Sequence, residues 1–461
     1  MVGLQNDIII ALATPPGVGA IGVIRLSGKG CIALVNRFFK GKDLEKCGSH
    51  TIHLGKIVDE KGVVLDEVLA SVFIAPRSYT KEDVVELSCH GSAYILGQVI
   101  NLFLRHGARA AGRGEFTLRA FLHGQLDLSQ AEAVADLIAS DSEASHELAM
   151  KQMKGGFSQA IAALRQELID FAALIELELD FGEEDVEFAD RDRLRNLVNE
   201  IQKVIADLIQ SFYLGNVMKN GVATAIVGRP NAGKSTLLNA LLNEERAIVS
   251  NIPGTTRDTI EETMNINGLV FRFIDTAGIR HAQDEIEKIG IERSMEKISR
   301  ADLVLFVVDV TDTTPEDLSA DLQKYLSGTE QFFVLLNKMD LNPYVDAAQY
   351  HVEGVSESHI ITTSALHKMN IEYLKTRLYE AVVSDASLQD RTLVSNARHY
   401  NALHKSHEAL QRVLYGLDNR VTGDFIAMDI RQALHHLGEI TGEISSEDLL
   451  DSIFSRFCIG K

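Results

Sequence analysis

The sequence predicts an α+β N-terminal domain followed by an all-α helical domain, with an α/β domain inserted into the helical one. Three observations lead to this fold class. Residues 1–120 carry β-branched runs separated by turn signals, helical periodicity dominates from Leu128 and returns after about residue 378, and short apolar runs alternate with helical stretches in between. The expected domains are 1–120, 121–215, 216–377 and 378–461, of which the second and fourth form the helical domain.

The composition is typical of a folded protein, because 46% of the 461 residues are hydrophobic and 24% are charged. A formal net charge of −20 argues against a broad sequence-independent grip on nucleic acid. Cys31, Cys47, Cys89 and Cys458 lack metal-site spacing and favour a reducing cytosol. No segment approaches the roughly 18 apolar residues of a membrane helix, and the N-terminus lacks signal-peptide features. We therefore expect a cytoplasmic protein that does not insert into membranes.

Secondary structure can be predicted within the N-terminal domain. The β-branched runs IGVIRLS (21–27), VVLDEVLASVFIAP (63–76) and DVVELSCHG (83–91) predict strands. SAYILGQVINLFLRHG (92–107) predicts a helix because its apolar residues recur at helical spacing.

The helical domain begins with a capping signal. Ser129, with Glu132 three residues later, predicts a capping box. Two apolar stripes with i, i+3/i+4 spacing follow, and the acidic stretch 182–192 is interpreted as a solvated turn between them. The stripes comprise Phe157, Ile161, Leu164, Leu168, Phe171 and Ile175, then Leu194, Leu197, Ile201, Val204, Leu208 and Phe212.

The inserted domain opens with a phosphate-binding pattern. GRPNAGKS (228–235) fits G-x-x-x-x-G-K-[ST] and lies between the apolar run ATAIV and the helical run STLLNALLN. Gly228 and Gly233 would let backbone N–H groups face phosphates, and Lys234 would place a cation on the β and γ oxygens. Ser235 offers a Mg²⁺ ligand. The motif predicts nucleoside triphosphate binding.

A magnesium-sensing turn follows in the same domain. DTAG (275–278) ends the apolar run LVFRFI, so Asp275 suits a Walker-B carboxylate acting on Mg²⁺, and the Gly278 N–H could reach the γ-phosphate. Either Thr255 or Thr256, in the preceding loop, is predicted to complete the Mg²⁺ shell. The turn continues with isoleucine, whereas switch GTPases of the Ras and Gα type place a water-orienting glutamine there. The motif alone therefore leaves the water-orienting residue open.

Two base-recognition motifs complete the pattern. NKMD (337–340) ends the run FFVLL, and Asp340 can accept hydrogen bonds from N1–H and the 2-amino group of guanine. Adenine lacks that donor pair, so a carboxylate left unpaired would penalise ATP. SAL (364–366) follows IITT and supplies a second purine-contacting loop. Four motifs in this order predict a P-loop GTPase domain of the Ras-like type.

Several blocks across nearly the whole chain resemble the tRNA modification GTPase family MnmE, also called TrmE. Beside the GTPase motifs, they are ATPPGVGAIGVIRLSG (13–28), YTKEDVVELSCHG (79–91), GEFTLRAFLHGQLDLSQAEAVADLI (114–138), NIPGTTRD (251–258) and CIGK (458–461). The resemblance implies a homodimeric, potassium-stimulated GTPase with a tetrahydrofolate-binding N-terminal domain.

The resemblance also implies the ion and nucleotide ligands. A potassium ion would be held by Asn231, the Ser250 and Ile252 backbones and Thr255; as a simpler reading, Asn231 is an ordinary turn residue. A fixed cation there stabilises charge developing during phosphoryl transfer. The full predicted set of GTP contacts is Asn231, Ala232, Gly233, Lys234, Ser235, Thr236, Ser250, Thr255, Thr256, Asp275, Gly278, Asn337, Lys338, Asp340, Ser364 and Ala365.

The family pattern assigns the missing water-orienting role to a glutamate beyond the DTAG turn. The matching position is Glu287, with Glu285 as a close competitor and Asp284 as a weaker one. Arg280 would help to hold the switch, or is merely solvated. The predicted catalytic group of the GTPase is therefore Glu287, Lys234 and Arg280.

A second site is implied for 5,10-methylene- or 5-formyl-tetrahydrofolate. Arg25 and Glu86 match folate-binding positions, and Lys461 would lie near the folate. The family lysine of an NGKLDL block is Gln125 here, which removes a charge but keeps a hydrogen-bonding group. Cys458 is implied to be an essential thiol; otherwise it is a tail cysteine without chemistry.

The implied function is tRNA modification together with the flavoprotein MnmG (GidA), in a heterotetramer or larger assembly in which only the partner carries FAD. The two proteins would add a carboxymethylaminomethyl or aminomethyl group to C5 of the wobble uridine, position 34. The alternatives are an RNA-binding ribosome-assembly GTPase and a scaffold whose GTPase controls association. The N-terminal domain and the CIGK tail argue against the ribosome-assembly alternative.

Overall fold

The computed structural model describes residues 7–180, 191–242, 262–274, 298, 300–323, 331–350, 355–383, 392–419 and 421–461. The chain divides into two compact units. The first contains residues 1–138, 151–202 and 402–461, and the second contains residues 139–150 and 203–401. Within the described residues, no helix is both long and apolar enough to cross a membrane.

The N-terminal part of the first unit is built on a seven-stranded sheet of order β3-β4-β5-β6-β2-β1-β7. Its pairs are antiparallel except for β1 with β7. The predicted strands at 21–27, 63–76 and 83–91 are confirmed as β2, β5 and β6. The strands are β1 (Ile8–Leu12), β2 (Ile21–Ser27), β3 (Phe39–Lys40), β4 (Thr51–Val58), β5 (Val64–Phe73), β6 (Val84–His90) and β7 (Ala108–Ala110).

The two faces of this sheet are covered differently. Helices α1 (Cys31–Phe38) and α2 (Ala93–Arg105) pack on one face around a core that includes Ile24, Leu87 and Phe103. The helix predicted at 92–107 is thus confirmed as α2. On the other face, Phe116 of α3 (Glu115–Leu122) packs against Ile9 and Ala11 at the β1 end. Strands β2, β4 and β5 keep exposed apolar side chains on that second face.

The helical residues of the first unit come from both sides of the inserted domain. Helix α6 packs along α13, where Arg165 Nε donates to Leu434 O over 3.4 Å. The long helices confirm the predicted all-α domain. In chain order they are α4 (Leu128–Ala139), α5 (Glu143–Met153), α6 (Gly156–Asp180), α7 (Arg191–Gln210), α8 (Phe212–Asn220), α12 (Ala397–Asp418), α13 (Gly423–Thr441) and α14 (Glu447–Phe454). Of these, α8 and most of α5 belong to the second unit, and the residues of α7 and α12 are divided between the two units.

The capping box predicted at Ser129 is wrong. Helix α4 already begins at Leu128, and the Ser129 hydroxyl is buried without a hydrogen-bond partner among the described residues. Two residues earlier, the Asp127 side chain accepts from Gln130 N over 2.8 Å, and Gln130 Oε1 accepts from Asp127 N over 3.0 Å. The reciprocal bonds of a capping box are therefore made by Asp127 and Gln130, one of the pairings that such boxes use.

The first apolar stripe is confirmed, and the second is shifted. Phe157, Ile161, Leu168, Phe171 and Ile175 are buried along α6, and Leu164 is half-buried. On α7, Val204 is exposed and its neighbour Ile205 is buried, so the buried stripe is Leu194, Val198, Ile201, Ile205 and Leu208. Phe212 belongs to the next helix, α8, and the acidic stretch lies mostly outside the described residues.

The second unit contains a six-stranded sheet of order β13-β12-β11-β8-β10-β9, parallel except for β9 with β10. Helices on both faces bury its strands, which confirms the α/β prediction. Helices α9 (Lys234–Leu242) and α11 (Ile371–Val382) cover one face, and α10 (Pro315–Leu322) covers the other. The strands are β8 (Val222–Val227), β9 (Glu262–Ile266), β10 (Leu269–Phe273), β11 (Leu303–Asp309), β12 (Phe332–Asn337) and β13 (Ile360–Thr362).

Candidate functional site

The predicted phosphate loop lies at the carboxyl edge of the parallel sheet, where ligands bind in open α/β folds. It connects β8 to α9 through positive φ angles of 142° at Gly228, 62° at Asn231 and 98° at Gly233. A Cβ atom would lie 2.2 Å from Val307 O at Gly228 and 2.3 Å from Asn337 Nδ2 at Gly233. The two glycines therefore allow both the backbone conformation and the close approach of neighbouring strand ends.

The two cationic side chains of the loop, Lys234 and Arg229, form hydrogen bonds with other groups of the protein. Lys234 Nζ donates to Gly228 O over 2.8 Å and to Arg229 O over 2.7 Å, so it lies across the loop in which phosphates would be held. Arg229 Nε donates to Asp321 Oδ2 over 2.7 Å, and this hydrogen bond raises the pKa of Arg229. Ser235 and Thr236 lie exposed in the first turn of α9, where backbone N–H groups and the helix dipole favour anions.

Asn337 joins the phosphate loop to the second purine loop. Its side chain is buried, with only 2% of the residue exposed. Nδ2 donates to Ala232 O over 2.9 Å, and Oδ1 accepts from Ala365 N over 3.0 Å. The Asn337 amide group therefore links the phosphate loop to the second purine loop through hydrogen bonds to the backbone of each.

Asp340 and Ser364, from the two base-recognition motifs, are in direct contact. Ser364 Oγ donates to Asp340 Oδ1 over 2.5 Å, and His367 Nε2 lies 3.7 Å from Oδ2. The hydrogen bond from Ser364 holds the pKa of Asp340 below its ordinary value. Asp340 is therefore an oriented carboxylate at the sheet edge, a suitable acceptor for paired N–H donors.

Lys338 contacts a residue that the sequence motifs miss. Its Nζ forms a close ion pair with Asp309, the last residue of β11. Burial alone would raise the pKa of Asp309, but hydrogen bonds from Lys338 and Thr311 outweigh it and lower the pKa. The sequence does contain an indication of this residue. Asp309 ends a buried parallel strand, and its side chain therefore lies at the same sheet edge as the other motifs.

The switch region lies outside the described residues. The nucleotide, magnesium, potassium and catalytic assignments that fall there stay predictions. They concern Ser250, Ile252, Thr255, Thr256, Asp275, Gly278, Arg280 and Glu287, with the competitors Asp284 and Glu285.

In the first unit, the predicted folate residues Arg25 and Glu86 are directly paired. They are opposite each other on β2 and β6, and Arg25 Nε donates to Glu86 Oε1 over 2.7 Å. The Arg25 guanidinium carbon lies 5.6 Å from the ring centre of Phe116 and 5.8 Å from that of Tyr79. A cation, a carboxylate and two aromatic rings thus meet on one sheet face.

The CIGK tail reaches the same place. Gly460 O accepts from Arg25 Nη1 over 3.2 Å, and Ile459 forms an antiparallel bridge with Arg113. Gly460 has a φ of 97°, and a Cβ atom there would lie 2.3 Å from Leu12 O. We call Arg25, Glu86, Tyr79, Phe116 and Gly460 the N-terminal cradle.

The other predicted residues of this site lie around the cradle. Cys458 is exposed, two residues before the glycine that contacts Arg25, and Lys461 is half-buried immediately after that glycine. Gln125 is exposed in the turn after α3, where its backbone N–H donates to Ala120 O over 2.8 Å. Among the described contacts of Arg25, Gln125 does not occur.

Comparisons with known proteins identify the family of this chain. The family described as "GTP-binding protein TrmE N-terminus" matches residues 8–125, and "MnmE helical domain" matches residues 128–458. A curated "tRNA modification GTPase MnmE" from Cytophaga hutchinsonii is 54% identical, covering 99% of this chain and 98% of its own length. The protein of the same name from Christiangramia forsetii is 52% identical, with 99% coverage of both chains.

Among solved structures, the FeoB G-domain from Methanococcus jannaschii is 33% identical over 36% of this chain and 98% of its own, with a TM-score of 0.27. The two family matches together extend from the first strand to the CIGK tail, and the curated relatives match at full length. This chain belongs to the MnmE family of tRNA modification GTPases and is a GTP hydrolase.

Proposed function

We propose that the chain is a potassium-stimulated GTPase that works in the cytoplasm, with the flavoprotein MnmG, on the wobble uridine of certain tRNAs. The product carries a carboxymethylaminomethyl or aminomethyl group on C5 of position 34, and a tetrahydrofolate derivative donates the one-carbon unit. The observation that carries this proposal is the N-terminal cradle, because a GTPase switch alone has no need for a second polar site that includes the chain's tail, with an exposed cysteine two residues before Gly460.

Nucleotide selectivity is assigned to Asp340. Its ionised carboxylate, oriented by Ser364, suits the N1–H and 2-amino donors of guanine. An adenine base would leave this carboxylate unpaired, which is the kind of mismatch that polar sites reject most strongly. Lys234 would leave the two loop carbonyls and bind the β- and γ-phosphates.

The proposed magnesium and potassium sites each include one residue of the phosphate loop or of α9 and further residues outside the described part of the chain. Ser235 in the first turn of α9 fits a Mg²⁺ ligand, joined by Thr256 and, through water, by Asp275. Asn231 has an exposed side chain on a left-handed backbone, so its amide oxygen can serve a hard monovalent ion. The Ser250 and Ile252 backbones and Thr255 would complete the potassium site.

Each group then has one task in hydrolysis. The bound cations would offset the charge that develops on the phosphates, where other GTPases use an arginine finger. Glu287 orients the attacking water, and Arg280 helps to hold the switch loop. Lys234 remains on the phosphate oxygens throughout.

The cradle has the chemistry that a folate derivative needs. Glu86 can accept a pair of pterin N–H donors, and Arg25 can bind a carboxylate or a ring carbonyl. Phe116 and Tyr79 provide aromatic surface for a flat ring system. Gln125 and Lys461 are further candidate contacts, and the exposed thiol of Cys458 is available to the reaction. When bound, the folate would supply the carbon atom that is transferred.

A homodimer is supported by the open face of the N-terminal sheet. Leu54 on β4 is directly opposite Leu69 on β5, and both are exposed, as are Ile52 and Ile21 on the same face. The exposed fractions are 65% for Leu54, 44% for Leu69, 65% for Ile52 and 64% for Ile21. Exposed apolar side chains of this kind favour association, and a twofold dimer is the commonest form for identical chains.

The partner assignments come from the family resemblance, and the charge of the chain is consistent with them. A chain with a net charge of −20 suits a complex in which MnmG provides much of the grip on tRNA. MnmG would also carry the FAD, and the two proteins would form a heterotetramer or a larger assembly.

The decisive experiment is mass spectrometry of tRNA nucleosides from a deletion strain, complemented with wild type or with Arg25→Ala. The proposal expects the modified wobble uridine to disappear on deletion and to return only with wild type. A normal nucleoside profile after deletion would overturn it and favour a ribosome-assembly GTPase or a scaffold.

The potassium assignment has a separate test. GTP turnover should be much faster in KCl than in NaCl at equal ionic strength, so that general screening is the same in both. Equal rates in the two salts would remove the potassium site from the proposal without affecting the folate site.

A further inference from the structure

Asp309 is a buried carboxylate that binds a residue of the base-recognition motif without belonging to any nucleotide motif. Only 6% of the residue is exposed. Besides the ion pair with Lys338 Nζ, Asp309 Oδ1 accepts from Thr311 N over 2.9 Å and from Thr311 Oγ1 over 2.6 Å. Three donors therefore fix this carboxylate in one position at the end of β11.

The backbone of Lys338 fixes the other end of the same side chain. Its φ is +65°, a left-handed conformation that is uncommon for residues other than glycine. Leu341 N donates to Lys338 O over 2.9 Å, and Val310 N donates to Asn337 O over 3.2 Å beside the ion pair. The lysine stem is thus held at its Cα atom by the loop and at its Nζ atom by Asp309.

We propose that Asp309 is a positioning residue for guanine binding: by holding the ammonium group of Lys338, it turns the methylene stem into a fixed apolar surface against one face of the base. This inference rests on the proposed assignment of guanine to Asp340, only two residues after Lys338. A purine face needs apolar contact, whereas its edge needs the polar contact that Asp340 provides.

Fixing the stem in advance has a physical benefit. A free lysine side chain has large rotamer freedom, and most of that freedom would be lost when a base packs against it. A side chain that is already ordered avoids this loss at the moment of binding. The ion pair also neutralises Asp309, whose unpaired negative charge would repel a nucleotide triphosphate at the same edge.

The experiment is calorimetric titration of GDP into the nucleotide-free full-length chain. The variants are Asp309→Asn, Lys338→Met and the double variant, with Asp312→Asn as a matched carboxylate-to-amide control in the same loop. Asp312 is exposed and its Oδ1 accepts from Thr313 Oγ1, so it does not share the Lys338 contact. We expect Asp309→Asn to weaken GDP binding by about 2- to 12-fold, the cost of ordering one long side chain, and Asp312→Asn to bind as wild type.

The double variant separates positioning from a general structural role. In the Lys338→Met background, Asp309→Asn should cause no further loss, because the group through which it acts is gone. Equal losses in both backgrounds, or wild-type affinity of Asp309→Asn, would overturn the proposal. Failure of wild type to bind GDP would instead overturn the proposed nucleotide site.

A second pair of variants decides the matter if Asp309→Asn does not fold. Lys338→Arg keeps a cation that Asp309 can hold, whereas Lys338→Met keeps only an apolar stem. The proposal expects Lys338→Arg to bind GDP more tightly than Lys338→Met, and equal affinities would overturn it.

Discussion

Arg229 in the phosphate loop donates a 2.7 Å hydrogen bond to Asp321 on helix α10. A second carboxylate, Asp317, lies 3.8 Å from the same guanidinium group. The loop is therefore held from outside the nucleotide site, by a helix whose N-terminus carries its own capping box at Thr314 and Asp317.

Asp321→Asn should loosen this attachment. Because the pair is partly exposed, solvent screening keeps its contribution to the free energy of unfolding within about 1 kcal/mol. We expect a small loss in urea denaturation and a few-fold rise in the KM for GTP. Glu316→Gln, at an exposed position of the same helix, serves as the control, and an equal rise in KM for both variants would contradict the role of the short hydrogen bond.

Asn337→Ala should have a larger effect, since it leaves Ala232 O and Ala365 N without their buried partner. A buried group left unpaired costs about 1–3 kcal/mol. The variant should unfold at lower urea and bind GDP more weakly. Asn239→Ala, at an exposed position of α9, is the matched control and should change neither property. Normal GDP affinity in a folded Asn337→Ala protein would show that the tie between the loops is dispensable.

Gly460→Ala tests the N-terminal cradle. The added Cβ atom would meet Leu12 O at 2.3 Å on a backbone with positive φ, so the tail must shift and the carbonyl contact with Arg25 is lost. We expect weaker binding of 5-formyl-tetrahydrofolate in calorimetry, with GDP affinity unchanged. Gly48→Ala, where nothing lies within 4 Å of the added atom, is the control. Unchanged folate affinity in Gly460→Ala would separate the tail from the folate site.

Glu287→Ala should keep GTP binding and lose most turnover, because only the orientation of the attacking water is removed. The assay is phosphate release in KCl beside nucleotide affinity. Glu285→Ala is the matched control. Full turnover in Glu287→Ala, with a loss in Glu285→Ala, would move the assignment to the neighbouring glutamate.

The cysteines should differ sharply in reactivity. Burial raises the pKa of Cys89 to about 12, and burial likewise raises that of Cys31 far above its ordinary value. At pH 8 a thiol with such a pKa is thiolate in only about one molecule in 10⁴. Iodoacetamide should therefore label Cys458 in the native protein and all four cysteines after denaturation, as read by peptide mass spectrometry. Equal native labelling of Cys89 and Cys458 would contradict this.

Local sequence patterns indicate the two candidate sites to different degrees, for physical reasons. Phosphate and base motifs are local patterns at strand ends, so Lys234, Asp340 and Ser364 could be assigned without coordinates. The Arg25–Glu86 pair depends on the register of β2 with β6, which no local pattern determines. Asp309 carries no motif, and its role depends on a contact with a residue 29 positions away.

Errors in the helical region also have simple causes. Ser129 and Glu132 have the right spacing for a cap, but so do Asp127 and Gln130, and only one pair can begin the helix. On α7, Val204 and Ile205 are adjacent apolar residues, and the packing of neighbouring helices decides which of them is buried. Spacing alone cannot choose between such neighbours.

The amide of Asn337 has a kinetic consequence for nucleotide exchange. One buried side chain is hydrogen-bonded to both Ala232 and Ala365. The loop that would bind the phosphates and the loop that would bind the purine therefore cannot move independently of each other. GDP should then depart in a single step, without a half-released state, and any signal that loosens one end of the nucleotide should empty the whole site.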